Sequence, residues 1–183
     1  MNELHRRILL DLARKTIAAK FSNKKYELDF IPKEFQEKRG VFVTLHKHGE
    51  LRGCIGNICP DKSLYEATKE NALNAAFHDP RFPSLEKEEL KEINLEISIL
   101  SVPKKVEFKE PKELIQKLRP KIDGIILEKK GHQSTFLPQV WEQLPDPFEF
   151  LQHLSWKAGL GPDAWKDAAI YTYQAEVFGE KER

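Results

Sequence analysis

Residues 93–99 read Ile-Asn-Leu-Glu-Ile-Ser-Ile, a strict alternation of apolar and polar side chains. Successive side chains of a strand point to opposite faces, so this segment is a β-strand with one face buried. A different period opens the chain. Leu4, Ile8 and Leu12 recur every four residues beside Leu9, Ala13 and Ile17, which makes residues 3–21 an amphipathic helix with Arg6, Arg7, Arg14 and Lys15 mostly solvated. Val41 to Leu45, a turn at His46 to Gly49, and Glu50 to Gly56 read as a hairpin. Ser63 followed three residues later by Glu66 is a capping box, opening an alanine-rich helix that runs to about Phe77 and stops at Asp79-Pro80. Lys112 to Leu118 forms a short helix, and Gly124 to Glu128 with Gln133 to Leu137 forms a second hairpin. Pro147 to Ala158 is a helix ended by Gly159, and Ala169 to Phe178 is the last strand. Asn23 to Gly40, polar and rich in Lys and Glu, reads as a surface connection. Two hairpins joined through helices, with no regular βαβ alternation, predict an α+β fold of mainly antiparallel sheet with flanking helices. The chain is expected to form one domain over 1–183, with a smaller lobe within about residues 103–145.

Size and charge narrow the function. A chain of 183 residues and 21.3 kDa buries roughly 70% of its unfolded surface, so its core needs no disulfide or metal staple. No apolar run is long enough to cross a bilayer, and the apolar N-terminal stretch is interrupted by Asp11, Arg14 and Lys15, unlike a signal peptide. With two cysteines only, the expected setting is the reducing cytoplasm. The balance of 30 basic against 29 acidic residues leaves a net charge of +1, which argues against a general nucleic-acid binder. Lys and Glu dominate their charge classes and Met occurs once, a bias of heat-tolerant proteins. The melting temperature is therefore expected above the mesophilic range of about 45–65 °C, and a calorimetric scan checks it.

The segment Leu51-Arg52-Gly53-Cys54-Ile55-Gly56 concentrates the candidate chemistry. Two glycines flank a cysteine and give up packing around it, which permits close approach of a ligand or of another backbone. On the period of a strand, Arg52 and Cys54 share a face, roughly 7 Å apart. A guanidinium there favours thiolate, the condition for a nucleophilic cysteine. The competing reading is a core thiol. With an even-numbered hairpin loop Cys54 lies among Val41, Val43 and Leu45, and with an odd one it joins Phe42 and Thr44. The second cluster is His78-Asp79-Pro80-Arg81-Phe82-Pro83, in which two prolines fix the backbone. Arg52 and Arg81 are candidates to bind a small anionic ligand through paired hydrogen bonds, with Gly53 and Gly56 allowing its approach. Cys54, His78 and Asp79 are the candidate catalytic groups, the last two as proton carriers; Asp79 capping a turn and pairing with Arg81 is the structural alternative.

A zinc site at His46, His48, Cys54 and Cys59 is weighed and set aside, because the cysteines lack the usual two-residue gap and no helical His pair follows. There is no phosphate loop, dinucleotide fingerprint, nucleophile elbow or three-cysteine cluster for an iron–sulfur centre, so no cofactor or metal is assigned. Trp141, Trp156 and Trp165, with Phe148 and Phe150, read as core.

Arg39 to Leu45, Gly49 to Gly56 and Asp79 to Pro83 together resemble the AMMECR family, also called protein A of the AmmeMemoRadiSam set. The resemblance continues through Glu96 to Leu100, Gly124 to Leu127, Ser134 to Val140 and Lys157 to Gly159, and thus covers nearly the whole chain. It implies an α+β protein of two subdomains around a cleft, without an established activity. It also implies an association with a Memo-like protein and a radical S-adenosylmethionine protein, and hence a shared modification pathway. Two functions remain in play: an enzyme or substrate-handling component built on Cys54, and a non-catalytic module that binds a protein or an anionic ligand.

Overall fold

The four-residue period at the start of the chain becomes a helix whose first turn is closed by Asn2, which accepts the His5 N–H at 2.8 Å. In the computed structural model, whose described residues are 1–180, the elements run α1 (Glu3–Lys20), β1 (Val41–Lys47), β2 (Glu50–Asn57), α2 (Leu64–Phe77), β3 (Ile93–Leu100), β4 (Lys104–Lys105), α3 (Pro111–Lys117), β5 (Gly124–Lys129), β6 (His132–Phe136), α4 (Pro147–Lys157), β7 (Ala169–Tyr173) and β8 (Ala175–Gly179). Ser63 caps α2 in both halves of the capping box, accepting the Glu66 N–H while the Glu66 carboxylate takes the Ser63 N–H. The strands form two four-stranded sheets, ordered β2-β1-β3-β8 and β4-β7-β5-β6, and the pairings described within them are antiparallel. The fold is α+β. No helix among the described residues is long and apolar enough to cross a membrane.

Two compact units divide the chain, one of residues 1–100 with 176 onward, the other of Ser101–Ala175. The second unit thus extends thirty residues past the 103–145 stretch expected for a smaller lobe, because α4 and β7 complete its core. In the first unit, Val41, Val43 and Leu45 of β1 stand opposite Ile99, Ile97 and Leu95 of β3, and this apolar face packs against Leu9, Leu12, Ile17, Ala72 and Ala75 of the two helices. Phe35 joins that core from a 3-10 turn at Lys33–Gln36, so the polar stretch before β1 is more than a surface connection. In the second unit, Trp141 stacks on Phe150 with ring centres 3.8 Å apart, and Trp165, Leu151 and Leu154 are buried with them. Phe148 and Trp156 are exposed, which corrects their reading as core. The expected last strand is two strands: the chain breaks at Gln174, β7 joining the second sheet and β8 the first.

Candidate functional site

The hairpin of β1 and β2 turns at His48 and Gly49, both with positive φ, so that Lys47 pairs with Glu50. This is the two-residue turn whose twist suits paired strands. An identical device at Lys130 and Gly131 joins β5 to β6 in unbroken register. In the first hairpin the register shifts: His46 faces Leu51, but Leu45 faces Gly53, and Arg52 is left without an opposite residue. A bulge of one residue inverts every side chain beyond it. The turn is even-numbered, yet Cys54 lies opposite Thr44, on the side away from Val41, Val43 and Leu45. Its thiol is half-buried and accepts a hydrogen bond from the Thr44 hydroxyl at 3.3 Å.

Asp79 and Arg81 reach Cys54 from the segment after α2. The Asp79 carboxylate accepts the Cys54 N–H at 2.9 Å, the Arg81 N–H at 3.1 Å, and two guanidinium N–H groups of Arg81 at 3.0 and 2.7 Å. The guanidinium nitrogen that holds Asp79 Oδ2, Nη2, also donates to the Cys54 carbonyl at 3.1 Å. Asp79 is 4% exposed. Its carboxyl is held well below the usual carboxylate range, first by the Arg81 side chain and then by the Cys54 and Arg81 amides, which together outweigh burial. A carboxylate saturated in this way is a strut. The expectation that Asp79 carries protons is corrected on that ground. Arg81 keeps 54% of its side chain exposed and stays available to an anion.

The other expected residues have different occupations. Arg52, 9% exposed, points away to Glu89, which it grips at 3.0 and 2.8 Å while donating to the carbonyls of Pro83 and Ser84. It ties β2 to the 83–89 segment instead of charging the surroundings of Cys54. A side chain at Gly53 would collide with the carbonyl of Ala75 in α2, and one at Gly56 with the ring of Phe42. Both glycines therefore answer to internal packing. His78 closes α2, exposed, with Nδ1 against the Asn74 side chain at 3.1 Å, its side chain engaged there and not with Cys54, whose sulfur is bonded by Thr44. Among the described residues no three His, Cys, Asp or Glu side chains converge to hold a metal ion, and Cys54 and Cys59 are unpaired.

Two further residues, neither of them among the expected site residues, join Cys54. Thr44 is the thiol's hydrogen-bond partner, and Glu96 of β3 stands directly opposite Thr44, so that Cys54, Thr44 and Glu96 make one row across three strands. Beside that row a groove of about 620 Å³ runs along Asn94, Glu96, His46 and Glu180. The alternation of 93–99 did mark Asn94, Glu96 and Ser98 as sharing a face, but Ser98 is buried, so that face is more than a solvated one.

Comparison with known proteins agrees with this architecture. The chain is similar to proteins of Methanosarcina mazei (43% identity, covering all of this chain and 94% of the relative) and Methanopyrus kandleri (46%, covering 95% and 87%). It is also similar to the crystal structure of an uncharacterised protein of Pyrococcus horikoshii, with a TM-score of 0.86 at 39% identity, over 95% of this chain and 90% of that one. Residues 10–178 match the AMMECR1 family, and at that coverage, with relatives above 40% identity along almost its full length, the chain belongs to that family.

Proposed function

We propose that this protein handles an anionic substrate at a thiol, with Cys54 as nucleophile or thiol carrier, Arg81 holding the anionic group and Thr44 steadying charge on the sulfur. The observation that carries this reading is the hydrogen bond from the Thr44 hydroxyl to the Cys54 sulfur, on the strand face that the Arg52 bulge turns away from the core. A cysteine that acts as nucleophile does so as the anion, and a hydroxyl donor on the sulfur is a partner that anion can use. The buried Asp79 holds Arg81 against the Cys54 backbone, so the positive charge is placed before any substrate arrives. The family resemblance adds the proposed setting: a cytoplasmic step shared with a Memo-like protein and a radical S-adenosylmethionine protein.

Alkylation by iodoacetamide, followed by mass spectrometry of each cysteine, tests the thiol. Exposed Cys59 serves as the internal reference. Cys54 is expected to react in the native protein at pH 7, and Thr44→Val and Arg81→Gln are each expected to slow it by about threefold to tenfold while Cys59 keeps its rate. Native Cys54 that stays unmodified while Cys59 is consumed sinks the proposal. The second reading, a binding module that makes and breaks no bond, has one observation on its side: internal packing alone accounts for Gly53 and Gly56. Full function in Cys54→Ser decides for it.

A further inference from the structure

On the helical side of the first unit, away from Cys54, a cavity of about 370 Å³ lies between α1, residues 24–27 and α2. That volume suits a small organic molecule. Tyr26, Tyr65 and Leu73 form apolar walls, and Thr16, which is almost wholly buried, contributes a hydroxyl with no hydrogen-bond partner. The two rings are held in place. Tyr65 donates to Glu27, and the Lys15 ammonium lies 5.2 Å from the centre of the Tyr26 ring.

The charges around the cavity are unequally engaged. Glu27 is paired with Lys69 at 2.6 Å, Glu70 with Lys62, and Glu66 with the N–H and hydroxyl of Ser63 in the α2 cap. Lys24 and Lys25 also line the cavity and are in none of these ion pairs, though Lys25 is near enough to Glu27 to help hold its carboxyl low. Their backbone is fixed: Asn23 takes a positive φ of 50°, and the Lys24 N–H donates to the Ala19 carbonyl at 3.0 Å, closing the end of α1. A cavity walled by Tyr26 and Tyr65 thus carries two ammonium groups outside the ion pairs and an unsatisfied hydroxyl.

We propose that this cavity binds a small molecule with a flat apolar body and one anionic group, the body between Tyr26 and Tyr65 and the anion on Lys24 and Lys25. The site is separate from Cys54 and independent of its chemistry. Titration of the folded protein with 1-anilinonaphthalene-8-sulfonate, and with uncharged N-phenyl-1-naphthylamine as its partner probe, tests it. The sulfonate is expected to bind one per chain and about tenfold more tightly than the neutral probe. Lys24→Gln with Lys25→Gln is expected to abolish that preference, Tyr26→Ala to weaken both probes, and neither change to alter Cys54 alkylation. The proposal is overturned if the sulfonate shows no saturable binding, or if its preference survives in the double glutamine variant.

Discussion

Gly53→Ala is expected to lower the melting temperature by about 10 °C, corresponding to about 3 kcal/mol. The methyl group would enter the space of the Ala75 carbonyl oxygen, and a backbone carbonyl inside a helix cannot turn aside. Either α2 retreats from the sheet or β2 bends away from α2. Both responses open the core at Leu45, Ala72 and Ala76, where residues are essentially without solvent contact. Gly161→Ala is the control, since a Cβ there meets nothing within 4 Å and the backbone is not left-handed, and its effect is expected to stay within about 0.5 kcal/mol. Thermal unfolding of both variants beside the parent decides the matter. If Gly53→Ala melts within a degree or two of the parent, α2 does not press on β2 as described.

Arg52→Met is expected to cost about 3 kcal/mol at pH 7 and to flatten the acid side of the stability curve. Arg52 and Glu89 are both largely buried, and removing the guanidinium leaves the Glu89 carboxylate with only Lys47 at 3.1 Å and the Glu86 N–H at 2.9 Å. The Glu89 carboxyl is pulled from 4.5 down to about 2, chiefly by Arg52, then by the Glu86 amide and Lys47, against the opposing effect of burial. A carboxyl whose pKa falls on folding stabilises the folded state fully above its unfolded value. That contribution is lost as pH drops from about 4.5 through 2. Urea unfolding between pH 7 and 2 should therefore show a steep loss in the parent and a shallower one in Arg52→Met and Glu89→Gln. Asp79, held lower still, adds its loss at more acid pH in all three. An unchanged acid limb in Arg52→Met contradicts the assignment of Arg52 as the tie between β2 and the 83–89 segment.

The two expected roles of Arg52 and Asp79 were legible only as residue types. A strand period placed Arg52 beside Cys54, but that period holds only while the ladder is unbroken. The partner of Arg52 is Glu89, 37 positions away, in a segment whose local pattern gives no sign of the pairing. The pairing of Asp79 with Arg81 was legible only as the structural alternative to their separate roles; the fold brings both to Cys54, and their mutual hydrogen bonds make the carboxylate a fixed anchor and leave Arg81 as the group that faces outward. Phe35 was hidden for a related reason. One aromatic residue among lysines and glutamates sets up no period, so its burial follows only from where the 3-10 turn lands.

Local rules were sufficient for most of the secondary structure: the four-residue period of α1, the Ser63 cap of α2, the alternation of β3 and the Gly-containing turns act over distances of a few residues and need no partner. The sequence by itself determined these elements, the α+β class and the kinship. Tertiary structure alone decided which side of the sheet Cys54 occupies, because a single unopposed residue reverses the parity of a strand and contacts far along the chain hold that residue in place. The same dependence on distant partners separated β7 from β8 and converted Arg52 from a candidate ligand-binding group into a structural one.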